Sequence, residues 1–267
     1  MLSFSLPLVP ASIAVFVATF VDRIAITSIM GLADVGIYGI GYRFASIVSL
    51  IMVGFQKAMM PLVYANYKNQ NTPLEISRIF NYFLSIIISL IVLLALFSKE
   101  TLIIFTTRQY FAAASIIPIL ASSIVLSSMY IFAPGLGIAK KTKHIALIYI
   151  LTAIANSILN FVLIPPLGIM GAALATLISA SCSFALYMFL SQKFYKVPYN
   201  WYRIAGAALI GISIVIFASN VELTLLRGII IKILLFAVSS VAVVLLLVGV
   251  KEVKVLLSKI NIVFGRK

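Results

Sequence analysis

Charged residues, and acidic residues above all, are scarce in this sequence. Only 10% of the 267 residues are charged, against about a quarter in soluble domains, and six are acidic. The single cysteine, Cys182, and the single histidine, His144, exclude an intrachain disulfide, a cysteine metal cluster and a Ser/His/Asp or Cys/His catalytic group. Glycine-rich phosphate loops and paired carboxylates are absent as well. We therefore expect no enzyme, no metal site and no cofactor.

Apolar residues make up 63% of the chain and occur in long runs. A membrane-spanning helix needs about 20 mostly apolar residues, and about eight runs reach that length. We predict an all-α, polytopic transmembrane bundle in one integral membrane domain that covers residues 1–267. The predicted spans are 6–30, 36–57, 79–97, 112–139, 145–164, 168–190, 203–219 and 228–250, and a basic tail follows at 251–267.

The basic residues are distributed unevenly between the connections of these spans. The net charge is +14, and 14 of the 20 lysines and arginines fall in alternate connections and in the tail. Because basic loops stay on the cytoplasmic side, both termini are predicted to be cytoplasmic. The basic excess then reports membrane topology, and nucleic acid is not an expected partner.

Three charged residues lie inside the first predicted hairpin. Asp22 and Arg23 come about eight residues before the outer turn, and Arg43 about eight after it, which places both arginines roughly 12 Å below the outer end. Neighbouring residues on a helix point about 100° apart, so Asp22 is better placed to pair with Arg43 than with Arg23, although the reverse pairing can also be drawn.

An ion inside a membrane normally faces a partner or a wet cavity, and three roles for these charges stay open. They could lock two helices as a structural ion pair. Arg23 and Arg43 could bind an anionic substrate, since guanidinium groups grip phosphate bidentately. Asp22 could instead be an ion-coupling carboxylate.

Smaller polar and glycine patterns add weaker expectations. Asn156 and Asn160 are four residues apart on one helix face and either line a polar cavity or bond between helices. The glycine pairs Gly36/Gly39 and Gly168/Gly171 predict close packing of helix backbones. Residues 102–111 are too short and too weakly apolar to cross, so we expect them to lie along the surface.

Several motifs taken together resemble a known transporter family over residues 4–200. They are Leu6-Pro7-Leu8-Val9-Pro10, Asp22-Arg23, Gly36-Ile37-Tyr38, Gly41-Tyr42-Arg43, Ala139-Lys140-Lys141-Thr142-Lys143 and Leu167-Gly168-Ile169-Met170-Gly171-Ala172-Ala173-Leu174-Ala175-Thr176. The set is similar to the polysaccharide transporter family, the O-antigen and capsule flippases of the multidrug/oligosaccharidyl-lipid/polysaccharide exporter superfamily.

The resemblance implies a flippase of the bacterial inner membrane that moves a lipid-diphosphate-linked oligosaccharide by alternating access. Arg23 and Arg43 would then meet the diphosphate. Family members have about 12 to 14 spans in two bundles, and this chain matches their C-terminal half. A truncated form, a second chain that supplies the other bundle, and a homodimer all remain open.

Two other functions remain as alternatives. One is a cation-coupled drug or metabolite antiporter of the same superfamily, with Asp22 as the coupling group. The other is a non-transporting membrane subunit that contacts polysaccharide assembly proteins through its basic loops. Membrane lipids are expected partners in every case.

Overall fold

A computed structural model describes residues 8–219, 225–250 and 252–253, and within these ranges the chain is helical and has no strand. The expected all-α class is thus confirmed for the described residues. In a helix the polar backbone groups bond to one another, so a helix suits long runs of apolar side chains. The α-helices are α1 Leu8–Ile29, α2 Leu32–Ala45, α3 Ile47–Asn66, α4 Thr72–Phe105, α5 Ile117–Ser128, α6 Gly135–Ile138, α7 Thr142–Leu167, α8 Ile169–Phe194, α9 Trp201–Ser219 and α10 Leu225–Leu247.

Five described helices are long and apolar enough to cross a membrane, as in a multi-pass membrane protein. They are Ile47–Asn66, Thr72–Phe105, Thr142–Leu167, Ile169–Phe194 and Gly228–Leu247. A sixth candidate consists of the 3-10 segment Arg108–Ser115 joined to Ile117–Phe132 across a 50° bend. The described residues therefore give five or six candidate spans, and the predicted number of eight is not confirmed.

The second predicted span, 36–57, is wrong as a single helix because the chain breaks at Ser46, between α2 and α3. The Ser46 hydroxyl donates to the carbonyl of Arg43 at 2.7 Å. The Ser49 hydroxyl in turn donates to the carbonyl of Ser46 at 2.5 Å. Serine hydroxyls that take backbone acceptors in this way compete with the helical ladder, so the apolar run is divided.

The predicted span 112–139 is also interrupted. Its residues form part of the 3-10 segment Arg108–Ser115, then α5, the 3-10 segment Met129–Phe132 and α6. Pro118 lies in the first turn of α5, and Pro134 directly precedes α6, where a missing N–H is tolerated. The predicted surface segment 102–111 is instead divided between the end of α4 and the first 3-10 segment.

The chain divides into two compact units. The first runs to Pro73 and resumes over Ser98–Val197, and the second holds Leu74–Phe97 and the chain from Pro198 onward. In the first unit, α7 packs against both α1 and α8, and α5 packs against α8. In the second unit, α9 packs against α10.

Glycine allows a close approach at the turn between α7 and α8. Gly168 has a φ of +60°, a value that glycine adopts at little cost. A Cβ on Gly171 would collide with the carbonyl oxygen of Leu163. The predicted close packing is therefore present at Gly171 but not at Gly39, where a Cβ would meet nothing within 4 Å.

In the second unit, polar and aromatic contacts bind residues 74–97 to the chain that follows Pro198. The Ser77 hydroxyl donates to the carbonyl of Pro198 at 2.7 Å. Arg78 forms an ion pair with Glu252 at 3.3 Å, and the Tyr82 hydroxyl donates to the same carboxylate at 2.6 Å. Of the predicted tail 251–267, residues 251 and 254–267 lie outside the described residues.

Candidate functional site: a buried polar cluster at Asp22

Asp22 is the centre of a polar cluster that four helices of the first unit build. Its side chain, on α1, is only 5% exposed. The Tyr38 hydroxyl from α2 donates to its Oδ2 at 2.8 Å, and the Thr176 hydroxyl from α8 donates to the same oxygen at 2.9 Å. The Asn160 amide from α7 donates to Oδ1 at 2.6 Å.

The local sequence explains why these helices converge on one carboxylate. Gly31, with a φ of +115°, makes the tight turn that folds α2 back beside α1. Between α7 and α8, Gly168 makes the tight turn with a φ of +60°, and Gly171 lets the two backbones approach closely. These two glycines bring Thr176 close to Asn160. Asn156 and Asn160 are one helical turn apart, and residues with that spacing share a face.

The two asparagines are buried, at 2% exposure for Asn156 and 0% for Asn160. The Asn160 amide nitrogen donates a second hydrogen bond to the backbone carbonyl of Asn156 at 3.0 Å. Its Oδ1 accepts no hydrogen bond from the described residues, which costs about 1 to 3 kcal/mol for a buried polar atom.

The three groups that bond the Asp22 carboxylate are all neutral. Asp22 supplies negative charge, and Asn160 and Thr176 add uncharged oxygen atoms within the same cluster. Oxygen ligands of this type suit hard cations, and the carboxylate can also bind a proton. In the described residues no group of three histidine, cysteine or acidic side chains could hold a metal ion.

The predicted ion pair between Asp22 and Arg43 is wrong. Tyr38, and not Arg43, is the α2 residue that reaches the carboxylate. Five residues separate the two on α2, which rotates their side chains about 140° apart, and Arg43 is exposed. The face of α2 that meets Asp22 is therefore the tyrosine face.

Arg23, the neighbour of Asp22 in the chain, contacts aromatic rings. Its guanidinium carbon lies 5.6 Å from the ring centroid of Phe20 and 5.1 Å from that of Tyr42. These distances are typical of cation–π contacts. The assignment of Arg23 and Arg43 to a substrate phosphate stays a prediction.

Sequence reasoning selected Asp22, Asn156 and Asn160, and the structure brings these three together. It missed Tyr38 and Thr176 as polar partners, although both stand inside the family-like motifs Gly36-Ile37-Tyr38 and Leu174-Ala175-Thr176. A signal was therefore present, but a tyrosine or a threonine within an apolar helix is more often a packing residue. Comparison of the chain with family models, with curated proteins and with solved structures finds no match.

Proposed function

We propose that this chain is one helical bundle of an ion-coupled membrane transporter, and that the Asp22 cluster binds the coupling proton or cation. The cargo we propose is a lipid-diphosphate-linked oligosaccharide, flipped across the bacterial cytoplasmic membrane. The observation that supports the proposal best is the buried Asp22 carboxylate, to which three uncharged side chains donate hydrogen bonds.

Retaining a carboxylate at this place is energetically unfavourable. We propose that α1 also crosses the membrane, and an acidic side chain costs about 2.5 to 3.5 kcal/mol on insertion scales at the centre of such a helix. An apolar or amide side chain would pack the same four helices without that cost. A side chain that must bind and release a proton or a cation needs the negative charge of a carboxylate. This need favours a coupling role for Asp22 over a purely structural one.

The hydrogen-bond geometry also suggests how ion binding would move helices. Asp22 Oδ2 accepts from two hydroxyls, and a proton on this oxygen would add an O–H donor and reduce its capacity to accept. The Thr176 hydroxyl has a second acceptor, the carbonyl of Ala172 at 2.9 Å, and can rotate to it. The Tyr38 hydroxyl donates to Asp22 and also interacts with the Thr176 hydroxyl, so protonation would redistribute the hydrogen bonds that join α1, α2 and α8.

The cargo assignment depends on the family resemblance and on Arg23 and Arg43. Two arginines on the first hairpin suit a diphosphate, because guanidinium keeps its charge and offers paired N–H donors. A drug or metabolite antiporter is the second candidate, and the Asp22 cluster favours it as much as it favours the flippase. The cargo distinguishes the two, since fixed positive charge disfavours cationic compounds.

The experiment uses the complex as it is extracted from its native membrane in mild detergent, with any second chain that accompanies it, reconstituted into vesicles. A proton or sodium gradient is imposed, and both ion entry and the transfer of a labelled lipid-linked oligosaccharide are measured. Asp22→Asn is expected to reduce both signals to the background of empty vesicles. Asp34→Asn, at the start of α2 and outside the cluster, is the matched control and should retain both.

Two results decide between the alternatives. Ion-coupled movement of a cationic drug without movement of the oligosaccharide would replace the flippase by the antiporter. Full activity of Asp22→Asn would contradict coupling at this site, whatever the cargo. Absence of any transport in the wild-type complex would favour the non-transporting subunit.

A further inference from the structure

A cavity lined by tyrosines lies in the first unit, apart from the Asp22 cluster. Its volume is about 590 Å³, within the usual range of ligand cavities. Residues from the end of α3, from the 129–142 segment and from α7 and α8 form its walls. Five of the lining residues are tyrosines, namely Tyr64, Tyr67, Tyr130, Tyr149 and Tyr187.

Apart from Thr142 and Lys140, the rest of the wall is apolar. Met60, Val63, Ile131 and Ile145 are among the apolar lining residues, and Lys140 is the one charged residue that lines the cavity. No acidic side chain is part of the wall. A cavity of this composition suits a ligand with an apolar body and one anionic end.

The tyrosine wall is built by specific contacts. The Tyr64 hydroxyl lies so close to Gly137 that any side chain at position 137 would collide with it. The Tyr130 hydroxyl donates to Gln56 Oε1 at 3.4 Å, and its ring lies 6.2 Å from that of Tyr187. Tyrosine rings supply apolar faces while their hydroxyls remain able to bond polar groups.

Lys140 has a backbone conformation that seldom suits lysine. It is the one described residue other than glycine with a positive φ, at +55°. Its N–H donates to the carbonyl of Gly137 at 3.0 Å, and the N–H of Lys141 donates to that of Leu136 at 2.9 Å. This pattern is a Schellman motif, in which the left-handed position is usually glycine. A lysine is thus retained at the cavity where glycine would have lower energy.

We propose that this cavity binds the phosphate end of a membrane lipid, with the Lys140 ammonium on the phosphate and the tyrosine rings against the first carbons of the apolar chain. Charge complementarity supports this occupant, since the lining carries one cation and no acid. Strained residues also concentrate at ligand sites. The proposal does not depend on the transport function, because an ordinary anionic phospholipid has the same phosphate chemistry as an isoprenoid phosphate carrier.

The test measures equilibrium binding of radiolabelled lipids to the full chain, purified in mild detergent. The probes are undecaprenyl phosphate, dioleoyl phosphatidic acid and their neutral counterparts undecaprenol and dioleoylglycerol. At least one phosphate-bearing probe is expected to bind about tenfold or more tightly than its neutral counterpart, because a charge-assisted hydrogen bond is lost without the phosphate. The phosphate probe that binds more tightly identifies the lipid source.

Lys140→Gly is the informative variant, because it removes the ammonium and at the same time relieves the backbone strain. It should weaken binding of the phosphate probe about tenfold, while its thermal unfolding temperature stays equal to that of wild type or rises. Lys140→Arg should retain binding. Lys143→Ala, which removes a nearby charge in the first turn of α7 but not from the cavity wall, is the matched control and should bind as wild type does.

Three results would overturn the proposal. The first is equal affinity for the neutral and the phosphate-bearing member of both pairs. The second is wild-type affinity in Lys140→Gly. The third is an equal loss in Lys143→Ala and Lys140→Gly, which would reduce the effect to the general attraction of a basic loop for anionic lipid.

Discussion

Removal of one hydroxyl from the Asp22 cluster tests how much its charge contributes to the fold. Tyr38→Phe is nearly isosteric and deletes the 2.8 Å hydrogen bond to Asp22 Oδ2 at a residue that is 1% exposed. Hydrogen bonds to a charged group contribute about 1.5 to 3 kcal/mol, and those between neutral groups about 0.5 to 1.5 kcal/mol. The variant should therefore lower the free energy of unfolding by about 2 kcal/mol in the wild-type background and by about 1 kcal/mol when Asp22 is replaced by asparagine.

The measurement is a four-variant cycle of wild type, Tyr38→Phe, Asp22→Asn and the double variant. Unfolding in mild detergent is driven by a stepwise increase in sodium dodecyl sulfate, and helix content is followed by far-ultraviolet circular dichroism. Tyr202→Phe, at a residue that is 92% exposed, is the control and should change the free energy of unfolding by less than about 0.5 kcal/mol.

The cycle isolates the charged part of the interaction, because Tyr38→Phe removes the donor whereas Asp22→Asn removes only the charge of the acceptor, and neither adds bulk. Equal costs of Tyr38→Phe in the two backgrounds would mean that the carboxylate charge does not strengthen the bond. A cost no larger than that of Tyr202→Phe would mean that Tyr38 does not bond Asp22 in the membrane protein. Either result would refute the reasoning from the geometry of the cluster.

The remaining predictions concern packing and cargo. Gly171→Ala should destabilise the first unit by about 1 to 3 kcal/mol, because its Cβ would meet the carbonyl oxygen of Leu163. Gly39→Ala should cost less than about 0.5 kcal/mol in the same unfolding assay, and equal costs would contradict the close approach at Gly171. Arg23→Gln and Arg43→Gln should reduce surface polysaccharide in a complementation assay with verified expression, and the corresponding lysine variants should restore part of it. Unchanged export in both glutamine variants would remove the arginines from the cargo site.

The positions of several helices could be predicted from the sequence because apolar runs have clear ends. The predicted span 145–164 falls within α7, and 168–190 begins one residue before α8 and ends within it. Lys143 precedes the first run, and Gly168 separates the two helices. The predicted span 79–97 is much shorter than α4, which continues from Thr72 to Phe105. Apolarity marks the part of a helix that suits lipid, whereas Arg78, Lys99 and Glu100 are good helix formers that extend it at either end.

The break at Ser46 could not be predicted from the apolar runs, because its cause is a competition between two kinds of hydrogen bond. A serine within an apolar run is common in membrane helices and usually bonds back to the preceding turn without ending the helix. Ser85 and Ser89 do this within α4. The sequence around Ser46 differs too little from those cases for periodicity to separate them.

The membership of the Asp22 cluster depends on the rotation of each helix about its axis, which the sequence determines only weakly. A rotation of α2 by about 140° would turn the Arg43 side of the helix, and not the Tyr38 side, toward α1, and would favour an ion pair over a site with neutral hydrogen-bond donors. Opposite charges predicted the ion pair, but the packing of Tyr38 and the Gly31 turn selected the other face. The chemistry proposed for this protein follows from that choice, since a carboxylate paired with an arginine takes up a proton or a cation less readily.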